Sequence, residues 1–244
     1  AFVRAAQAFL VVRGQPPITV KFLFEGEEEV GSPHLGAWLD SAVLAPDGQQ
    51  LTGAELVQAD AMHCLDGGLD AGTGRARVAL GNKAILYVEL RCQGPASEIH
   101  SADSAWVVNP AWRLVQALNT LLDSKGRITI PGWYDDYDPP TEEDIAWLEA
   151  ALKDYDLEQK LSILGVSSLP PGKTALDLLV ERAFGATCTI CGLEAGYTGP
   201  GGKPAVRPQA MRKLDFRCPP YLDPVQQLDK LQAHLLERGF DDIE

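Results

Sequence analysis

An acidic stretch at residues 25–29 is the part of the sequence best suited to chemistry. Glutamate occupies four of its five positions: Glu25, Glu27, Glu28 and Glu29. The stretch follows a mostly apolar run, 18–24, and precedes Gly31, Ser32 and Pro33, which favour the start of a helix. Crowded carboxylates repel one another, and removing them from water is costly unless a cation lies nearby. Adjacent glutamates at the carboxyl end of a buried strand are therefore suited to act as one metal ligand and one general base.

The same acids have an ordinary interpretation. Acidic side chains are common just before a helix, because the positive end of the helix dipole attracts them while water still solvates them. Under this interpretation the glutamates bind no metal and contribute only to the start of the helix. Their spacing alone leaves both interpretations open.

The elements around the acidic stretch predict an α/β arrangement for residues 1–82. The predicted elements are helices at 1–13 and 32–43, the second capped by Ser32, and strands at 18–24 and 54–59. The second strand stops at Asp60. Because parallel strands end at the same edge of a sheet, we expect Asp60 to lie near the glutamates. Aspartate is also a common turn residue, so Asp60 has a purely structural alternative.

Residues 83–244 show a different order of elements. The patterns predict strands at 84–92, 127–130, 187–194 and 210–218, and helices at 110–123, 141–153, 173–184 and 224–239. This order predicts an α+β two-layer domain, with helices on one face of an antiparallel sheet. The glycine-rich segment 66–83 separates it from the α/β domain, so the predicted domains are 1–82 and 83–244.

Composition excludes two classes of partner. The formal net charge is −13 and no cluster of Lys and Arg forms a stripe, so we expect no nucleic acid partner. No apolar run approaches the roughly 20 residues needed to cross a bilayer, and the first residues lack the layout of a signal peptide. We therefore expect no membrane association.

The cysteines and histidines add little chemistry by themselves. Five widely spaced cysteines do not suggest a disulfide framework, and they indicate a reducing cytoplasm. Cys188 and Cys191 form a CxxC pair on a predicted strand, where residues three apart face opposite ways, so we expect no zinc or redox site there. His34 and His234 are predicted to lie on helix surfaces, and His63 is predicted to lie at the surface or beside a metal ligand without binding the metal itself.

Four blocks of the sequence resemble the dinuclear zinc metallopeptidases of the aminoacylase, carnosinase, glutamate carboxypeptidase and acetylornithine deacetylase type. The blocks are 25–32, the strand ending at Asp60, the segment 98–101 followed by Asn109-Pro110, and 196–200 leading to 214–217 and the helix at Asp223-Pro224. The acidic block is the most specific of them. The segments 126–132 and 141–143 are similar to the dipeptidase branch. The resemblance implies a partial zinc-peptidase-like α/β catalytic domain followed by an α+β lid that mediates dimerisation.

The resemblance also implies roles for individual residues. Glu28 would be the general base, while Glu29 and Asp60 would each bind one of two zinc ions, with manganese or cobalt as alternative metals. His100 would stabilise the oxyanion in the site of the partner in a homodimer. The residues at 102–104 differ from the family pattern, so an ordinary loop histidine is the alternative.

The resemblance leaves the substrate open. Dipeptides, N-acyl amino acids and folate-type glutamate conjugates all fit the family. The substrate-binding residues are unassigned: Arg207 and Arg212 are both alternatives for an arginine that binds the substrate carboxylate, and Arg217 is expected to make structural hydrogen bonds in its strand.

The metal site implied by the family needs further ligands. None of the four histidines begins an HxD motif, so we expect the bridging aspartate and two histidines to lie outside residues 1–244. The chain is then expected to be a fragment of a metallopeptidase that is inactive alone. The alternative function is a non-catalytic dimerisation or binding module derived from this family.

Overall fold

The computed structural model describes residues 2–64, 74 and 81–244. The chain divides into two compact units, Ala1–Asp66 and Gly67–Glu244. Most of the glycine-rich segment 66–83 lies outside the described residues. Among the helices of the described residues, none combines the length and the hydrophobicity needed to span a bilayer.

The first unit consists of short, locally stabilised elements. They are α1 (Phe2–Arg13), α2 (Leu35–Asp40), β1 (Ala42–Leu44), β2 (Gln50–Thr52) and α3 (Gly53–Val57). Strands β1 and β2 form an antiparallel hairpin in which Val43 lies opposite Leu51. The hairpin turns at Gly48, whose φ of +85° suits glycine, and its N–H donates to the Ala45 carbonyl at 2.9 Å.

Two predicted strands of this unit are wrong. Residues 18–24 form no strand, because no strand among the described residues pairs with them. Residues 53–57 form helix α3 because a capping box starts it: the Glu55 N–H donates to Thr52 Oγ1 at 3.2 Å, and the Thr52 N–H donates to Glu55 Oε2 at 2.8 Å. The apolar pattern at 54–59 is too short to exclude this helix.

The predicted helix at 1–13 is confirmed, and the predicted helix at 32–43 is shorter than expected. Helix α2 begins after His34, not after Ser32, which has a φ of +53°. It ends at Asp40, and Val43 belongs to β1. Helix α1 has no buried residue, and Val11 is 85% exposed, so the described part of this unit leaves the helix uncovered.

A three-stranded antiparallel sheet in the order β3-β7-β5 forms the centre of the second unit. The strands are β3 (Ala84–Gln93), β5 (Thr187–Glu194) and β7 (Gln209–Cys218), as predicted. On β7, every second residue from Ala210 to Cys218 is buried, which is the pattern of a strand with one face against a core. Helices α4 (Pro110–Leu118) and α8 (Pro224–Glu237) contact this sheet. The predicted α+β two-layer arrangement is therefore confirmed.

Side-chain caps begin both of these helices. Asn109 Oδ1 accepts from the Ala111 N–H at 3.0 Å before α4, and Asp223 Oδ1 accepts from the Val225 N–H at 2.9 Å before α8. Proline at the first helical position starts each helix without losing a hydrogen bond. Helix α4 ends at Leu118, five residues before the predicted end at 123.

The predicted strand at 127–130 and the predicted surface position of His234 are wrong. Residues 127–130 contribute only an isolated bridge, between Leu122 and Ile128.

His234 is 2% exposed, because it lies on the face of α8 that also buries Leu231. Thr120 Oγ1 donates to the Ala117 carbonyl at 2.7 Å, so it accepts from the His234 Nε2–H at 2.8 Å. Burial lowers the pKa of His234.

The segment between α4 and β5 carries three more helices, α5 (Glu142–Lys153), α6 (Leu157–Leu164) and α7 (Ala175–Phe184). Helices α5 and α7 are predicted correctly and start at capping boxes, whereas α6 was not predicted. Lys83 Nζ donates to the carbonyls of Glu181 and Gly185 at 2.9 and 2.7 Å. These bonds fix the end of α7 beside the start of β3.

A short two-stranded ribbon completes the second unit. Strands β4 (Ile99–His100) and β6 (Ala205–Val206) pair antiparallel, with His100 opposite Ala205. The Ser101 N–H extends the pairing by donating to the Pro204 carbonyl at 2.9 Å. This ribbon is separate from the three-stranded sheet.

Replacing Leu114 with alanine tests the two-layer core. Leu114 on α4 is fully buried in the core that contains Phe216, so Leu114→Ala is expected to lower the free energy of unfolding by about 2–5 kcal/mol. Val115, the next residue, is 45% exposed, and Val115→Ala is expected to cost less than about 1 kcal/mol. Urea unfolding followed by circular dichroism measures both. Equal costs for the two variants would contradict the packing of α4.

Candidate functional site

The acidic stretch forms a tight turn in the first unit. Glu28 and Glu29 begin a 3-10 helix, Glu28–Val30, which ends where the Gly31 N–H donates to the Glu28 carbonyl at 3.0 Å. Gly31 has a φ of +87°, a conformation suited to glycine. Consecutive side chains of a 3-10 helix point about 120° apart, and both glutamates are exposed. The two carboxylates are thus directed differently.

Glu27 has a different environment from its two neighbours. Its Oε2 lies 2.7 Å from His34 Nδ1, at the start of α2. The Ser32 N–H also donates to the Glu27 carbonyl at 3.0 Å. Glu27 therefore fixes the exit of the turn against α2, whereas Glu25, Glu28 and Glu29 make no such contact among the described residues.

Asp60 lies in an irregular, exposed segment after α3. One hydrogen bond links this region to the chain before the acidic turn, because Lys21 Nζ donates to the Gln58 carbonyl at 2.8 Å. The described residues contain no group of three His, Cys, Asp or Glu side chains placed to hold a metal. Glu29 and Asp60 offer oxygen donors of the right type, but zinc takes three or four protein ligands. The described residues therefore do not complete a zinc site.

His100 lies in the second unit, on strand β4, and is exposed. Its Nδ1 accepts a hydrogen bond from the Ala102 N–H at 3.1 Å. A ring nitrogen that accepts must be unprotonated, so the neutral imidazole carries its proton on Nε2. Nε2 has no partner among the described residues, and its N–H is free to donate to another group.

An ionic cluster joins residues that flank the two strands of the ribbon. Glu98 Oε1 lies 2.5 Å from Lys203 Nζ, and Glu98 Oε2 lies 3.7 Å from Arg207 Nη1. Lys203 Nζ also lies 5.7 Å from the centre of the Tyr197 ring, whose hydroxyl donates to the Pro200 carbonyl at 3.0 Å. Sequence reasoning overlooked Lys203, which lies before β6 in a tight turn where the Ala205 N–H donates to the Lys203 carbonyl at 2.9 Å.

The two candidate arginines for a substrate carboxylate have opposite environments. Arg207 is partly exposed at the ribbon, whereas Arg212 on β7 is 3% exposed and burial lowers its pKa. Only Arg207 is accessible to a ligand in solution. Arg217 pairs with Asp215 in its own strand, with 2.9 Å between Arg217 Nη2 and Asp215 Oδ2, as expected of a structural arginine.

The CxxC pair is not arranged as a reactive dithiol. Both thiols are free. Cys188 is partly buried, and burial raises the pKa of its thiol to about 12. A thiol with so high a pKa stays protonated near neutral pH, when only a thiolate binds zinc or attacks a disulfide. Cys191 is exposed, at a register shift in β5.

A two-layer α+β unit after an acidic turn agrees with the arrangement that the resemblance to lid-bearing metallopeptidases implies. The sequence profile of the peptidase dimerisation domain matches residues 80–242. The chain therefore belongs to the M20 peptidase family. The match covers the described second unit almost completely, so this unit is the dimerisation domain of that family.

Similar proteins agree with this assignment. An M20 family metallo-carboxypeptidase from Sulfolobus solfataricus is 33% identical, with a TM-score of 0.82 over 98% of this chain and 52% of that one. The Beta-Ala-His dipeptidase of Rattus norvegicus is 26% identical over 96% of this chain and 45% of that protein. The Cys-Gly metallodipeptidase of Saccharomyces cerevisiae is 25% identical over 96% of this chain and 46% of that protein. The chain spans about half the length of the relatives it matches.

The tautomer of His100 provides a direct test of the site geometry. We expect neutral His100 to carry its proton on Nε2, because Nδ1 accepts from the Ala102 N–H. His34 is the internal control: its Nδ1 lies against the Glu27 carboxylate, which only accepts, so its proton is expected on Nδ1. Long-range ¹H–¹⁵N correlation spectra of the imidazoles distinguish the tautomers. A proton on Nδ1 of His100 would contradict the arrangement.

Proposed function

We propose that this chain is part of a zinc-dependent hydrolase of peptide or N-acyl amide bonds. The observation that carries the proposal is the 3-10 turn, which directs the exposed Glu28 and Glu29 apart and so supports giving them two different roles, base and ligand. Membership of the M20 family supports it, since the similar proteins named above are metallopeptidases. Dipeptides are the preferred substrate class, because two of these relatives are dipeptidases.

In this proposal each acid of the first unit has one task. Glu28 accepts the proton of the attacking water and is the general base. Glu29 and Asp60 would each supply an oxygen ligand to one of two zinc ions. Zinc held there would lower the pKa of water towards neutrality and would polarise the scissile carbonyl. Manganese and cobalt are the alternative metals.

His100 is the proposed donor to the oxyanion. Its Nε2–H is free among the described residues, while Nδ1 is held by the Ala102 N–H, which fixes the direction of the ring. A fixed N–H donor stabilises negative charge as it develops, because it needs no reorganisation during the reaction. We place this donor in the site of a second copy of the chain, through a homodimer formed by the dimerisation domain.

The proposal keeps the domain division 1–82 and 83–244, with a partial catalytic domain followed by the lid. Because the described residues do not bring three metal ligands together, the chain alone is proposed to be inactive.

We also propose a cytoplasmic location, which the five free cysteines support. A non-catalytic dimerisation or binding module is the second candidate, and the same incomplete ligand set favours it.

The amount of zinc that this chain retains after loading tests whether its metal site is incomplete. Two carboxylates without further ligands bind zinc weakly, so we expect no zinc to remain after dialysis against a metal-free buffer. Metal content measured by atomic absorption reports the outcome. Two tightly bound zinc ions per chain would contradict the proposal and would show that other residues of the chain supply the ligands.

Substitution of Glu28 separates the two candidate functions. In the full-length protein that carries this chain, Glu28→Gln is expected to lower kcat for dipeptide hydrolysis by about 100- to 10,000-fold, because the general base is lost. Glu25→Gln, which removes the same charge three residues earlier, is expected to change kcat less than about threefold. Steady-state kinetics and circular dichroism measure activity and folding. Unchanged kcat in folded Glu28→Gln protein would favour the non-catalytic module.

A further inference from the structure

Hydrogen bonds, and not packing, hold the acidic turn in place. None of residues 25–34 is buried. The Glu27 carbonyl accepts from the N–H groups of Val30 and Ser32 at 3.1 and 3.0 Å, which closes the turn on itself. One more backbone bond, from the Leu35 N–H to the Ser32 carbonyl at 3.2 Å, leads from the turn into α2. The turn therefore has few contacts that could fix its direction.

A side-chain contact joins the start of the turn to α2. Of the side chains at 25–32, only that of Glu27 makes a hydrogen bond within the described part of the chain. The donor is His34, whose Nδ1–H lies 2.7 Å from Glu27 Oε2. The His34 carbonyl accepts from the Trp38 N–H at 3.0 Å, so the backbone that carries the imidazole belongs to the first turn of α2. The contact thus ties the turn to a helix.

The position of this contact in the chain gives it a local effect. Glu28 and Glu29 lie between its two partners, which are seven residues apart, so the contact closes a small loop around both acids. The side chains of His34 and Glu27 are 79% and 45% exposed, and such pairs contribute little to the stability of a whole fold. The direction of a turn without buried residues depends on a single hydrogen bond much more strongly than global stability does.

We propose that His34 is a positioning residue, which acts through Glu27 to fix the direction of the turn that presents Glu28 and Glu29. It touches neither substrate nor metal in this proposal. The consequence for catalysis rests on the proposed function, because it requires Glu28 to be the base and Glu29 a ligand. The tie itself rests only on the contacts of the turn.

Hydrogen exchange measured by mass spectrometry tests the tie without turnover. In the full-length protein that carries this chain, His34→Leu is expected to speed exchange of the peptide 25–34 about two- to tenfold relative to its unfolded form, as loss of one hydrogen bond would. The peptide 42–52, which contains the hairpin, is expected to exchange at an unchanged rate. Unchanged exchange at 25–34, or equal acceleration at 42–52, would overturn the proposal.

The conservative variant and a control separate the hydrogen bond from mere loss of a ring. In both Asn and His a nitrogen is bonded to Cγ, so His34→Asn retains a donor at the position of Nδ1 and is expected to restore slow exchange. His63→Leu removes another exposed imidazole of the same unit and is expected to leave the peptide 25–34 unaffected. Failure of His34→Asn to restore protection, or acceleration by His63→Leu, would contradict a specific tie.

A double-mutant cycle tests whether His34 acts through Glu27. Glu27→Leu removes the acceptor and is expected to speed exchange as much as His34→Leu does, and the double variant no more than either single change. Effects that multiply in the double variant would show two independent contributions and would overturn the proposal. Both side chains are exposed, and thermal unfolding checks that each variant folds. If one single variant does not fold, the other and His34→Asn still decide the test.

Steady-state kinetics test the consequence for catalysis. His34→Leu is expected to lower kcat for dipeptide hydrolysis about 3- to 30-fold, because a displaced base attacks less effectively, with KM changed less than about twofold. His34→Asn is expected to recover most of the lost kcat. Unchanged kcat in His34→Leu, in an enzyme that Glu28→Gln inactivates, would overturn the positioning role. If Glu28→Gln leaves kcat unchanged, the proposed function fails, and the exchange rates still decide whether the tie exists.

Discussion

The second unit depends on the pairing of β3 with β7. Ten residue pairs join these strands, from Ala84 opposite Cys218 to Gln93 opposite Gln209. The strands are far apart in the chain, so the pairing must compensate for the loop entropy of the helices between them. The pairing compensates for this loop entropy through burial. Its register brings Leu86 and Leu90 of β3 together with the buried residues of β7 beneath α4 and α8. A slip of one residue would turn this apolar face to water.

The ribbon that carries His100 is a different kind of structure. It has only two paired residues in each strand, which is too little to be stable alone. Its strands lie at the ends of segments that the sheet already holds: β4 follows β3, and β6 precedes β7. The Gly94 N–H donates to the Pro208 carbonyl at 2.7 Å where the two segments leave the sheet. The sheet therefore positions the ribbon that carries the candidate catalytic histidine, His100.

The first unit shows what happens without such long-range pairing. Its helices and hairpin follow from local signals, such as the capping box at Thr52 and the turn at Gly48. The contacts of its acidic turn are also local, since they involve Gly31 and the pair of Glu27 with His34, seven residues apart. The predicted parallel strands are absent because the described residues provide no strand to pair with 18–24. As a result, Asp60 and the glutamates are linked through Lys21 and Gln58, and not by adjacent strands.

The sequence by itself determined the elements that have strong local signals and the identity of the family. Capped helices α4, α5, α7 and α8 and the alternating strand β7 follow from short stretches of sequence, and the acidic block with Glu28 and Glu29 carries the resemblance to metallopeptidases. Three features became known only from the tertiary structure. His234 is buried, Arg207 and not Arg212 is the accessible arginine, and Lys203 contacts Glu98. These facts depend on which distant segments pair and which face each strand turns to the core. Local sequence does not contain that information, because burial and charge pairing are properties of the assembled fold.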